Sequence, residues 1–359
     1  MMSPEELTRA LVEKEKVAPL AAAGWEREGA REIGGARGVF FDLASVTKPM
    51  TALAFARSGV DRRAPLGDLV VEARGTASEG VPVELFLAHR AGLDAHRKVY
   101  APLLAADGRP MDVAAALHEA ADARRPELTG EAPPEGFPPV YSDLGYVLAG
   151  VALARAVGAR DAGEAVARLV LEPLGLGAQA GTVRELAARG VTGPFAPTET
   201  VDWRGGPVEG AVHDENAWAL TGLGGSGHAG IFGTADAVLT FGRAVLDALD
   251  RDPALAWLVR ERPGGTLRAG FDGKSPPPET SSAGERMGPR AFGHLGFTGT
   301  SLWIDPDARV VVTLLTNRVC PTRDHLAIRA VRPWAHDRLY ERAEAMTAGP
   351  GKRERDRFT

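Results

Sequence analysis

Apolar positions along this chain change period repeatedly, and the changes predict its elements. Residues 3–16 carry an amphipathic helical pattern: Ser3 is placed to cap it, Pro4 takes the first helical position, and Glu5 and Glu6 fill the first turn. Between 17 and 41 the apolar pieces are short and broken by Gly24, Gly29, Gly34, Gly35 and Gly38, which predicts two or three strands. From Val46 to Ala56 the spacing turns helical, and Gly59 stops it. Further helices are predicted over Val113–Arg125 with Asp112 as cap, Asp143–Val157, Ala162–Leu171, and from Thr234 to about Leu249. Residues 126–139 are too rich in proline for regular structure. Segments 181–233 and 262–290 read as irregular. Strand-like runs follow at 291–297, 301–305 and 310–316, then a helix over about 324–345 and a charged tail expected to be disordered.

Strands therefore sit at both ends of the chain, with helices and loops between them. The economical arrangement is a sheet assembled from both ends, with helices on its faces and a helical insertion over one edge. Residues 1–60 and 285–346 would form the sheet part, 61–284 a mainly helical and loop region covering a cleft, and 347–359 the tail.

Composition narrows the function classes. A chain of 359 residues can bury a large core without disulfide or metal staples. The one cysteine, Cys320, rules out an intramolecular disulfide and a Cys-based zinc site. The net charge of −5 argues against a general nucleic-acid binder. No stretch is long and apolar enough to span a membrane. The N-terminus has early acids and no basic start before an apolar core, so it does not read as a signal peptide. The expected compartment is the cytoplasm as written, or the periplasm or exterior if a leader has been removed.

Three stretches carry possible chemistry. Ser45 and Lys48 are three residues apart at a helix start, which puts them about 60° apart on one face. Lysine can take a serine proton if burial lowers its pKa. Equally, Ser45 could be a cap and Lys48 a solvated side chain. Tyr141-Ser142-Asp143 joins the proline-rich loop to a helix. Tyr141 could relay protons there, or merely staple the helix. Gly293-His294-Leu295-Gly296 starts as a strand, and Gly296 clears space for a ligand or another backbone. Its plain alternative is a glycine-rich hairpin with an incidental histidine. Gly222–Gly227 matches G-x-G-x-x-G but follows no clear strand, so a dinucleotide site is not expected. His213, Asp214 and His228 have metal-capable side chains, but no metal is expected there.

In order, the three stretches resemble the S-x-x-K, Y-x-N and K-x-G or H-x-G motifs of class C β-lactamases and penicillin-binding-protein-like serine hydrolases. Asp42-Leu43-Ala44, Leu87–Leu93, Pro173–Leu176, Gly230–Asp236 and Leu315–Arg318 are similar to further segments of that family. The resemblance runs from about residue 40 to 330. It implies an α/β (α+β) fold of the β-lactamase/transpeptidase type, no cofactor, and a small-molecule or peptide substrate, with oligomeric state open. It implies Ser45 as acyl-forming nucleophile and Lys48 as base or as partner of Tyr141. Tyr141 would protonate the leaving group, and His294 would line the site. The oxyanion would be held by the backbone N–H groups of Ser45 and a residue just after Gly296, Thr298 by position. Asn216 and His228 would touch substrate from a rim loop. Asp143 stands where the family often has asparagine, and could keep Lys48 charged. His294 in place of lysine would hold a substrate carboxylate less firmly. Both departures favour an esterase or D-amino acid peptidase over an efficient β-lactamase. The alternative is a catalytically silent member that binds peptides or assembles.

Overall fold

The computed structural model describes residues 1–104 and 111–347. Helix α1 (Pro4–Arg9) starts with a reciprocal cap between Ser3 and Glu6 and continues as a wider turn through Lys14. Strands β1 (Ala21–Arg27) and β2 (Ala30–Gly35) form a hairpin. Its two-residue turn places Glu28 and Gly29 at φ 52° and 84°, the left-handed pair that matches strand twist. Helix α2 (Thr47–Arg57) follows the serine turn, and α3 (Asp143–Ala156) follows Tyr141. Helix α4 (Ala235–Ala248) is capped by Thr234. Strands β3 (Asp272–Gly273), β4 (Phe292–Leu295), β5 (Ser301–Asp305) and β6 (Val310–Thr316) precede the last helix, α5 (Ile328–Thr347).

One antiparallel sheet runs in the order β2-β1-β6-β5-β4-β3, so the N-terminal hairpin joins the C-terminal strands at β1–β6. The period-2 alternation of β6 sorts its side chains to two faces. Val311 and Leu315 join α4 residues such as Val238, Leu239 and Phe241 in the larger core. Val310, Val312 and Leu314 join Leu7, Leu11 and Leu339 from α1 and α5 in the smaller one. Both faces are covered, which is why β6 reads as a nearly unbroken apolar run. Gly242 lets α4 lie close to the sheet: a Cβ there would stand 2.6 Å from Val311 Cγ1.

The larger core also takes in Leu53 and Phe55 of α2, Leu148 and Leu153 of α3, and Phe86 from the short helix Val83–Leu87. The helical region thus shares a core with the sheet. Helix α4 and strand β3, which fall on the helical side of the expected division at 284/285, pack on or in the sheet. Segment 181–233 is also less irregular than expected. It holds helices Val183–Ala188 and Glu215–Thr221, capped by Thr182 and Asp214, both too short to display a period. The expected tail lies outside the described residues except for Thr347, which ends α5. No helix among the described residues is long and apolar enough to cross a membrane.

Candidate active site

Ser45 sits on a single 3-10 turn, Ala44–Val46, that feeds α2. Ala44 adopts φ 46°, an unfavourable conformation for a residue with a Cβ. Asp42 holds it there: one carboxylate oxygen accepts from the Ala44 N–H at 2.8 Å and the other from the His213 N–H at 2.7 Å. The chain after β4 is stitched to the same turn. Thr298 Oγ1 donates to the Asp42 carbonyl at 2.7 Å and Thr300 Oγ1 to the Leu43 carbonyl at 2.9 Å. Gly296 makes this approach possible, since a Cβ on it would lie 2.5 Å from the Leu43 carbonyl oxygen. The space it leaves is taken by the Thr300 side chain and the Leu43 carbonyl.

Lys48 lies one turn after Ser45 and is fully buried. Its Nζ donates to Ser45 Oγ at 2.8 Å, Tyr141 Oη at 2.7 Å and Asp143 Oδ1 at 2.7 Å. An ammonium has three protons, and all three are used. Burial would pull the Lys48 pKa down, but the neighbouring Asp143 and Tyr141 outweigh it and hold it above the ordinary value. Burial would raise Asp143, yet Lys48, helped by His228, keeps its carboxyl below the usual range. Burial raises the Tyr141 phenol, and Lys48 offsets this only in part. At neutral pH the cluster is therefore hydroxyl, ammonium, phenol and carboxylate.

Tyr141 is held between two imidazoles. His89 stacks on it at 4.7 Å between ring centroids, and His294 tilts against it at 5.9 Å. His89 Nδ1 accepts the Ser142 N–H at 3.0 Å, which anchors the Tyr141 turn. Burial, then the Lys48 charge, pulls His294 down to about 3, and the same two causes hold His89 well below its ordinary value. Both rings are neutral.

A cavity of about 370 Å³ opens beside this cluster, lined by Ser45, Tyr100, Asp143, Asp214 and Phe297 among others. Ser45, Lys48, Tyr141, Asp143 and His294 thus converge, as the sequence predicts. Of these, Ser45 and Asp143 line the cavity; the other four expected site residues, Gly296, Thr298, Asn216 and His228, do not. Asn216 is buried because the helix Glu215–Thr221 turns it inward; its amide holds the Arg97 carbonyl at 2.8 Å and the Tyr100 N–H at 3.3 Å. His228 is buried between Asp214 Oδ1 at 2.8 Å and Ser226 Oγ at 2.9 Å. Burial would lower its pKa, but Asp214 outweighs burial and raises it, which favours an imidazolium beside the Asp214 carboxylate. Thr298 is buried against Asp42, and Phe297 faces the cavity instead.

The sequence left His89, Asp42, His96 and Phe297 unassigned to the site. His89 and Asp42 at least lie in segments that carry the resemblance. His96 lines the cavity, with Nδ1 3.9 Å from Asp143 Oδ2. His213 binds Glu199 through Nε2 at 2.9 Å, and Arg323 binds the same carboxylate at 2.6 Å. Burial would raise Glu199, but these two partners bring it down to about 2. A depressed carboxyl contributes stability above its unfolded pKa and loses it as pH falls through the folded one. Replacing Glu199 by glutamine is expected to cost about 2–3 kcal/mol near pH 7, and that cost should shrink between about pH 4.5 and pH 2. Urea unfolding of both proteins across this range measures it.

The family model described as Beta-lactamase matches residues 11–333. A protein of Salmonella agona, provisionally named a D-alanyl-D-alanine carboxypeptidase, is 30% identical over 199 residues, 50% of this chain and 45% of that protein. The chain thus spans about half the length of the curated relatives it matches. Among solved structures, a beta-lactamase from Mycobacterium bovis aligns with TM-score 0.59 and 22% identity over 91% of this chain and 96% of that one. EstCE1, a hydrolase with promiscuous acyltransferase activity, aligns with TM-score 0.64 and 18% identity over 91% and 96%. A D-stereospecific amidohydrolase from Streptomyces aligns with TM-score 0.61 and 18% identity over 87% and 93%. These three alignments show the fold.

Proposed function

The chain belongs to the beta-lactamase family, and on that premise we propose that it is a serine hydrolase working through an acyl-enzyme on Ser45. The observation that carries this is the triple contact of Lys48 Nζ with Ser45, Tyr141 and Asp143. A silent member has no need to hold a buried ammonium on a cavity-lining serine.

The charge states suggest the proton path. Ser45 Oγ attacks the substrate carbonyl carbon. Its proton passes to Lys48 Nζ as Nζ gives one to Asp143 Oδ1, so the cluster neither gains nor loses a proton. The backbone N–H groups of Ser45 and Phe297, which have no partner among the described residues, are the candidate donors to the oxyanion. On collapse, the leaving group takes a proton from Tyr141 Oη, and Tyr141 takes one from Lys48. Lys48 recovers its proton from Asp143. Water then attacks the Ser45 ester: its proton passes to Tyr141 Oη as the phenol gives its own to Lys48 Nζ and Nζ gives one to Asp143 Oδ1; on collapse Asp143 returns a proton through Lys48 to Ser45 Oγ, which releases the acid and restores every starting state. Esters and D-amino acid peptides or amides are the candidate substrates, and β-lactams would acylate more readily than they turn over.

A fluorophosphonate probe followed by intact mass tests the nucleophile. One adduct per chain is expected, mapping to Ser45; an unmodified wild-type protein would sink the reading. The proton path makes a separate prediction. Because it needs no net deprotonation, kcat/KM of the wild type should be flat from about pH 5 to pH 9. In Asp143→Asn the lysine must first lose a proton, so activity should fall below about pH 7. An acid limb that instead moves down in the variant would mean Lys48 works only as the free amine.

A further inference from the structure

The cavity beside Ser45 has charged walls: Lys98 lines it, and its carboxylates are each matched by a cation. Asp143 pairs with Lys48 at 2.7 Å, Asp214 with His228 at 2.8 Å, and Glu215 with Arg323. His294, where the family can carry a lysine, is buried and uncharged.

Apolar surface is arranged differently. Phe297 lines the cavity with its side chain 50% exposed, yet the ring is braced. His213 stacks on it at 5.7 Å with 19° between the planes, and the Arg318 guanidinium lies 4.4 Å from its centroid. Tyr100, also on the cavity wall, stacks on Trp203 at 5.5 Å and 3°. Trp203 is itself 39% exposed and meets Trp218 edge-on. A solvent-facing aromatic ring fixed from behind offers apolar contact area and loses little side-chain freedom when something binds. Phe297 also supplies one of the two candidate oxyanion donors through its N–H. A group attached to a carbonyl held there falls within reach of its ring.

We propose that this cleft selects esters or amides with an apolar acyl group, aryl or medium-chain alkyl, and that Phe297 is the residue that selects it. The proposal rests on the acyl-enzyme reading and deepens it.

The test compares p-nitrophenyl acetate, hexanoate and phenylacetate on wild type, Phe297→Ala and Phe297→Leu, each corrected for the fraction of sites labelled by fluorophosphonate. The wild type should favour the two larger esters by about tenfold or more in kcat/KM, mainly through KM. Phe297→Ala should collapse that ratio toward one, and Phe297→Leu should restore most of it for hexanoate. A ratio near one in the wild type or an unchanged ratio in Phe297→Ala overturns the proposal. Binding of phenylacetamide against acetamide to Ser45→Ala, followed by tryptophan fluorescence, reads the preference without turnover. Tighter binding of the aryl amide, lost in the Phe297→Ala double variant, supports it; equal binding overturns it. Absence of a Ser45 adduct would sink the acyl-enzyme reading and leave this binding result to decide the preference by itself.

Discussion

Replacing Ser45 with alanine is expected to lower ester turnover by about 10⁴- to 10⁶-fold and to abolish labelling by the fluorophosphonate. The nucleophile is the one group in the cluster whose loss no neighbour can repair. Tyr141 is a neutral phenol and Lys48 an ammonium, and neither is nucleophilic in that state. The fold should persist at a measurable cost. Ser45 accepts one of three hydrogen bonds from Lys48, so its removal leaves one N–H of a buried cation unpaired, at a cost of about 1–3 kcal/mol. Activity and thermal midpoint measured on the same preparation separate the two effects. Turnover that survives in a folded Ser45→Ala protein would place the chemistry elsewhere.

Lys48→Met should damage both. Methionine fills a similar volume but donates nothing to Ser45, Tyr141 or Asp143. Turnover should fall by about 10⁴-fold, since the proton path loses its centre. Stability near pH 7 should fall by about 2–4 kcal/mol, because Asp143 is left as an uncompensated carboxylate with only 21% of its side chain exposed. The sign with pH is distinctive. Without Lys48, burial leads the forces on Asp143, so its folded pKa moves above the unfolded one. The variant should then lose stability as pH rises past the ordinary carboxylate range, and regain it when acidified. Chemical denaturation at pH 4 and pH 7 checks this. Lys48→Met with Asp143→Asn should recover most of the loss, and a double variant no more stable than the single one would argue that the damage came from packing.

The parts of the site that were legible in the sequence are those that local geometry dictates. Ser45 and Lys48 share a face because the turn into α2 puts residues three apart side by side. Tyr141 is held at the start of α3 by the cap at Ser142. The sheet strands were legible because apolar period and glycine spacing mark them. What stayed hidden depends on partners remote in the chain. Asn216 has the side chain of a substrate contact, but its bonds run to Arg97 and Tyr100, more than a hundred positions earlier. His228 looks like a rim residue until Asp214 is seen beside it. The choice between Phe297 and Thr298 turns on which of two neighbours points outward after β4, and the Thr298 bond to Asp42 decides it. Short helices such as Val83–Leu87 and Pro253–Leu258 span too few turns to leave a periodic trace.

The pairing of β1 with β6 has a consequence for biosynthesis. Arg27 must wait for Val310 to leave the ribosome before it finds its neighbour in the sheet. At about 5–20 residues per second, the nascent N-terminal hairpin spends about 15–60 s with one edge open. During that interval it offers an unsatisfied strand template to any other chain nearby. Yield of this protein should therefore depend on translation speed and chaperone supply more than its finished architecture would suggest.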